Sequence, residues 1–234
     1  YFISRFIGGT RPSEELLAQT GGLEYFPFVL VGLMVHRFQE VSLNAYASQI
    51  RLEQTTGTLE AMLVAPTKLG HLMLSSAGWS YMMATVQSGI YLLVGVVIFG
   101  VVLLPGDLLA AAAAIVLTIL ALSGIGIFSA AFVLYFKRGN PINFVIGTST
   151  ALFGNVFIPS KSLPDALSWI STFVPASYAT EAVRGALLEG ASWQDLMPDL
   201  LALSVFAVIL LPAGVAGARF AIERAKREGT LVQY

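Results

Sequence analysis

The chain has 234 residues, 56% of them hydrophobic and 12% charged, and its mean hydropathy of +0.77 sets it apart from soluble domains, in which about a quarter of residues carry charge. A net charge of −1 argues against a nucleic-acid partner. The absence of cysteine excludes disulfides and thiolate metal ligation and leaves the redox compartment open.

Charge-free runs at 69–106, 108–136, 139–160 and 200–218 are each long enough to cross a bilayer as a helix, which takes about 20 apolar residues. The pattern predicts an all-α integral membrane protein with crossings over 24–47, 77–104, 108–136, 142–158 and 200–220. The first crossing carries His36, Arg37 and Glu40 near its midpoint, where a charge costs from about 2.5 to over 10 kcal/mol. Arg37 and Glu40 stand three residues apart and His36 and Glu40 four, so all three share one helix face. Two readings stay open. The three neutralise one another and bond to a neighbouring chain, or they line a polar path or its gate, with Phe26, Phe28 and Phe38 as apolar walls.

After the first crossing, 49–69 is polar. Thr55, Thr56, Gly57 and Thr58 read as start signals, Leu59, Met62 and Leu63 recur at helical spacing, and Pro66 stops the run. That pattern predicts a short amphipathic helix lying on the membrane surface. Pro105, Gly106 and Asp107 leave room only for a tight turn between the second and third crossings. The segment 159–190 is too polar to cross and too apolar for a free loop. Leu163, Leu167, Ile170 and Phe173 fall at helical spacing, Pro175 interrupts, and 178–188 resumes, which predicts a re-entrant hairpin of two short helices. Pro212 is expected to kink the last crossing, and Gly124, Gly126, Gly147 and Gly154 read as sites of close helix packing.

Lys and Arg are retained on the cytoplasmic side of short loops. Arg51, Lys68, Lys137, Arg138, Arg219, Arg224, Lys226 and Arg227 share one side, whereas acids dominate the other. The C-terminus is therefore expected inside and Tyr1 outside. Tyr1 is not an initiator methionine and no signal-peptide pattern leads the chain, so a further crossing is expected upstream, giving six in the intact protein.

Residues 53–66, EQTTGTLEAMLVAP, resemble the cytoplasmic coupling segment of ABC-2 type ATP-binding-cassette permeases, usually close to RERExGTLExLLVTP; Gly57, Thr58, Leu59, Glu60, Leu63 and Pro66 match. Gln54 and Thr55 depart from it, standing where the family has a basic residue and an acid. Residues 157–188, FIPSKSLPDALSWISTFVPASYATEAVRGALL, are similar to the family's other hallmark, an FxP…LP run, a helix, a proline-aromatic corner and a second helix. With the crossings, the resemblance covers essentially the whole chain as a single permease domain, 1–234.

The resemblance implies the membrane-spanning subunit of an ATP-driven exporter in a bacterial inner membrane, moving an amphipathic substrate such as a drug, a lipid or a lipid-linked glycan. Its partners would be a cytoplasmic ATPase subunit, a second permease copy, with a homodimer favoured over a heterodimer, and membrane lipids. Glu53, Thr55, Thr56, Gly57, Thr58, Glu60, Met62 and Pro66 would meet the ATPase. Pro159, Leu163, Pro164, Leu167, Ile170 and Phe173 would form the outer gate, and Phe26, Phe28, His36, Arg37 and Glu40 the transport path or dimer interface. No GxxxxGK[ST] run occurs, so ATP and Mg are expected on the partner, with no cofactor, metal or catalytic residue in this chain.

Two other functions compete. An intramembrane enzyme could draw on Ser123, Ser149, His36 and His71, but no GxSG stands in the chain and no aspartate lies within a crossing. An ion-coupled carrier could use Arg37 and Glu40 as a proton relay, but leaves the 53–66 segment unexplained. His71 and the tryptophans Trp79, Trp169 and Trp193 read as interfacial residues.

Overall fold

Several helices begin or end where the local chemistry requires it, and two of the four longest lie wholly within the charge-free runs. In the computed structural model, which describes residues 20, 24–57, 69–104, 107–136, 141–159, 162–164 and 169–227, the helices are α1 (Tyr25–Thr56), α2 (Leu69–Phe99), α3 (Leu108–Phe136), α4 (Pro141–Phe153), α5 (Pro175–Leu188) and α6 (Trp193–Arg227). The Asp107 carboxylate accepts from the amides of Leu109 and Ala110 and so caps α3. Asp195 does the same at the start of α6, taking both the amide and the hydroxyl of Ser192. Pro175 opens α5, where the proline's missing N–H costs nothing.

Three helical stretches are long and apolar enough to cross a membrane: Ala77–Phe99, Leu109–Val133 and Trp193–Ala221. Their outward faces carry Leu93, Val97, Val116, Phe128, Val205 and Val208 exposed, a surface that suits hydrocarbon and not water. The last helix continues through both Pro198 and Pro212.

The first helix takes the central position. It touches α2, α3, α4 and α5, while α3 packs chiefly on α6. Its C-terminal half joins a core with Tyr81, Ala84, Ala130, Val133 and Ala218. Its N-terminal half joins a second core with Ala110, Ala114, Ala182, Val183 and Leu203. Alanine recurs in both because small side chains let helices approach closely where apolar burial supplies little drive. Between α1, α2 and α3 the hydroxyls are chained: Tyr81 Oη lies 2.7 Å from Ser42 and 2.8 Å from Ser123, and Tyr46 donates to Ser123 at 3.2 Å.

The predicted crossing over 142–158 is not one continuous helix. The fourth helix stops at Phe153, and its 13 residues reach only about 20 Å, short of a hydrocarbon core of about 30 Å. Asn155 adopts the left-handed conformation (φ 57°), which Asn tolerates better than most residues, and the chain runs irregularly from 154 to 158. Of the outer hairpin, the second helix is present as α5. The first predicted helix is helical only at 169–171 among the described residues, with Leu163 and Pro164 outside any helix and Leu167 outside the described residues. Gly124 and Gly126 do sit at close helix crossings, whereas nothing lies within 4 Å of a Cβ built on Gly147.

Candidate functional site

The residues singled out by sequence fall in three places along α1. At its lower end, the helix does not stop near Gln49 but runs on through Glu53 and Thr55 to Thr56, whose hydroxyl donates to Leu52 O at 2.9 Å. Gly57 follows at φ +72°, a left-handed backbone that ends helices. Thr55 and Thr56 therefore belong to the last turn of α1 and Gly57 ends it; the amphipathic helix expected after them lies outside the described residues. Thr58, Glu60, Met62 and Pro66 lie outside the described residues.

Midway along α1, an open groove of about 380 Å³ separates it from α2, lined by Phe26, Leu33, His36, Arg37, Glu40 and Tyr91 among others. Arg37 Nη1 donates to Glu40 Oε2 at 3.1 Å, and Arg37 Nε donates to Gln87 Oε1 at 2.8 Å. The two side chains remain 35% and 49% exposed, so the chain alone does not bury the pair. Gln87 was not foreseen. His36 does not join Glu40: its ring meets Phe157 edge-on at 6.1 Å, and its buried Nδ1 has no hydrogen-bond partner. Phe26 closes the upper end of the groove, its ring 5.0 Å from Phe99. Phe28 turns away from it into the core.

Arg37→Met and Glu40→Gln are each expected to lower the thermal midpoint of the solubilised protein, and the double variant by less than their sum. The coupling should be about 0.5–3 kcal/mol. Gln87→Leu added to either variant should also be non-additive. Strictly additive losses would show that the 3.1 Å contact carries no energy.

Near the N-terminal end of α1, the break after α4 leaves backbone carbonyls without helical partners, which costs free energy wherever water is excluded unless protein supplies donors. Side chains supply them. Ser177 donates to Phe153 O at 2.9 Å, Thr180 to Gly154 O at 2.7 Å, Arg184 Nη2 to Val156 O at 3.4 Å and Tyr25 to Phe157 O at 3.2 Å. Asn155 in turn donates to Glu181 at 3.1 Å. Ser177, Thr180 and Arg184 follow one another at i, i+3 and i+7 and so form a polar stripe along α5.

Arg184 is the functional-looking residue that sequence reasoning missed. It is 3% exposed. Its Nε and Nη2 both donate to Phe28 O, at 3.1 and 2.8 Å, and its guanidinium carbon sits 3.5 Å from the centroid of the Phe28 ring. The available signal was the spacing of Ser177, Thr180 and Arg184 along one face of a helix rich in alanine.

The residues expected to act as a gate differ in burial, and Leu167 lies outside the described residues. Pro159 is buried, Leu163 and Ile170 are half-buried, and Pro164 and Phe173 are exposed, the last against Trp169. Among the described residues, no three His, Asp or Glu side chains gather as a metal site.

Neither a comparison with curated proteins nor one with solved structures gives a match. A comparison with family models does: the ABC-2 type transporter model matches residues 2–188, spanning α1 to α5 and both segments that resemble the family's hallmarks. With most of its length matched in this way, the chain is a multi-pass membrane protein of the ABC-2 type transporter family, the permease part of an ABC transporter.

Proposed function

We propose that this chain is the permease subunit of an exporter that moves an amphipathic molecule, such as a drug, a lipid or a lipid-linked glycan, out of the cytoplasm or inner leaflet of a bacterial inner membrane. A separate cytoplasmic ATPase binds ATP and Mg and docks on residues 53–66. Two permease copies form the complex, as a homodimer, with the C-terminus in the cytoplasm and α1 and α4 with its break completing the crossings.

One observation carries this reading: α1 runs unbroken from the outer break to Gly57, the first matched residue of the coupling motif. A movement imposed at Gly57 is thereby delivered to the membrane interior without an intervening joint. Shared cores in both halves of the bundle make a rigid-body shift the natural response.

Purification of the tagged chain from its native membrane tests the reading. An ATP-hydrolysing subunit should co-purify in stoichiometric amount, and reconstituted vesicles should move a fluorescent lipid analogue only when ATP is supplied. Transport driven by a proton gradient, with no ATPase bound, would support the ion-coupled carrier instead.

A further inference from the structure

A charged side chain enclosed in the outer part of a membrane protein needs a reason beyond neutralisation, because an apolar residue would fill the same space without desolvating a charge. Arg184 has no carboxylate within ion-pairing distance among the described contacts. Its acceptors are backbone carbonyls on two other elements: Phe28 O on α1 and Val156 O in the break. The planar guanidinium fork suits this role, since it can direct two N–H groups at one carbonyl while stacking on the Phe28 ring, which an ammonium cannot do.

Its neighbours show that the site is built for close approach. Gly32 follows Phe28 by one helical turn, and a Cβ there would lie 2.3 Å from Val156 O and 3.0 Å from Arg184 Nη2. Thr180 and Ser177 hold the start of the break from the same helix. Arg184 Nη1 is buried and has no acceptor. From Phe28 to Thr56, α1 is continuous, about 42 Å at 1.5 Å per residue.

We infer that Arg184 is a positioning residue, the joint that fastens α5 and the 154–158 break to α1, so that displacement of α1 at its Gly57 end moves the outer segment with it. The inference rests on the proposed docking of an ATPase at residues 53–66. It assigns to one side chain the transfer of motion across the membrane, in contrast to a loop gate that responds on its own.

The test uses the complete transporter with Thr172→Cys as reporter, in a chain with no native cysteine. Thr172 is exposed in the turn before α5. Its rate of reaction with a membrane-impermeant maleimide is compared between the nucleotide-free complex and the complex trapped with ATP and vanadate. The parent should show a nucleotide-dependent change in rate. Arg184→Lys, which keeps the charge and loses the fork, should keep ATPase association and hydrolysis but lose that change.

An unchanged response in Arg184→Lys, or no response in the parent, overturns the inference. Should Arg184→Lys fail to reach the membrane, Arg184→Gln keeps a single donor group and loses the fork, and an undiminished response in that variant overturns it equally. Failure of the docking reading is separately visible, because Glu60→Lys would then retain both complex assembly and the Thr172→Cys response.

Discussion

Gly32→Ala is expected to abolish accumulation of the folded transporter, although it adds one methyl group to a helix that alanine favours. The methyl carbon would lie 2.3 Å from the carbonyl oxygen of Val156 and 3.0 Å from its carbon. Backbone cannot swing aside as a flexible side chain can, so either α1 moves away from the break or the break rearranges. Overpacking of this kind typically costs about 1–3 kcal/mol, and here the displacement would also pull Phe28 O and Val156 O from Arg184. Gly78→Ala, where a Cβ meets nothing within 4 Å, is the matched control and should express normally. Size-exclusion profiles of the two variants in detergent, made side by side, decide the matter. A monodisperse Gly32→Ala protein with the parent's thermal midpoint would show that α1 and the break are not in contact in the membrane.

Gly57→Val is expected to impair transport far more than insertion. At φ +72° a β-branched side chain meets its own backbone, and holding it there costs about 1–3 kcal/mol. The cheaper alternative is to extend or redirect the end of α1, which would re-aim the segment that follows. Among the described residues nothing lies within 4 Å of a Cβ built on Gly57, so the substitution disturbs no packing within that part of the chain. Glu60→Lys tests the same segment by charge and should weaken ATPase association. Transport of a lipid analogue in reconstituted vesicles should fall at least tenfold in Gly57→Val, the equivalent of about 1.4 kcal/mol of coupling, with normal amounts in the membrane. Parent-like transport in both variants would remove the coupling role of residues 57–66.

The spans with unbroken apolar composition were legible because lipid demands the same thing of every residue it touches. Val97, Val116 and Val208 are exposed for this reason, and the runs that contain them form α2, α3 and α6. The pairing of Arg37 with Glu40 was legible from helical spacing alone, whereas Gln87 lies 50 residues from Arg37 and no local pattern links them.

The break after α4 was hidden. Gly154 to Ile158 carries no formal charge and lies at the end of an apolar run, and two of the donors that make a non-helical backbone tolerable there stand on another helix, as Thr180 and Arg184 stand 26 and 28 residues from the carbonyls they hold. Arg184 was counted only as one basic residue among acids on the outer side. Its burial depends on Phe28 and Gly32, which the sequence sets more than 150 residues away.

The order of synthesis gives the break a further meaning. A growing chain that ends before Pro175 carries the carbonyls of Phe153, Gly154 and Val156 but none of the α5 hydroxyls, nor the guanidinium, that satisfy them. Water or lipid headgroups must serve them until α5 arrives, since hydrocarbon offers no donor. The break after the fourth helix therefore reaches its final form only once α5 has been made, with Thr180 on Gly154 O and Arg184 on Val156 O and Phe28 O.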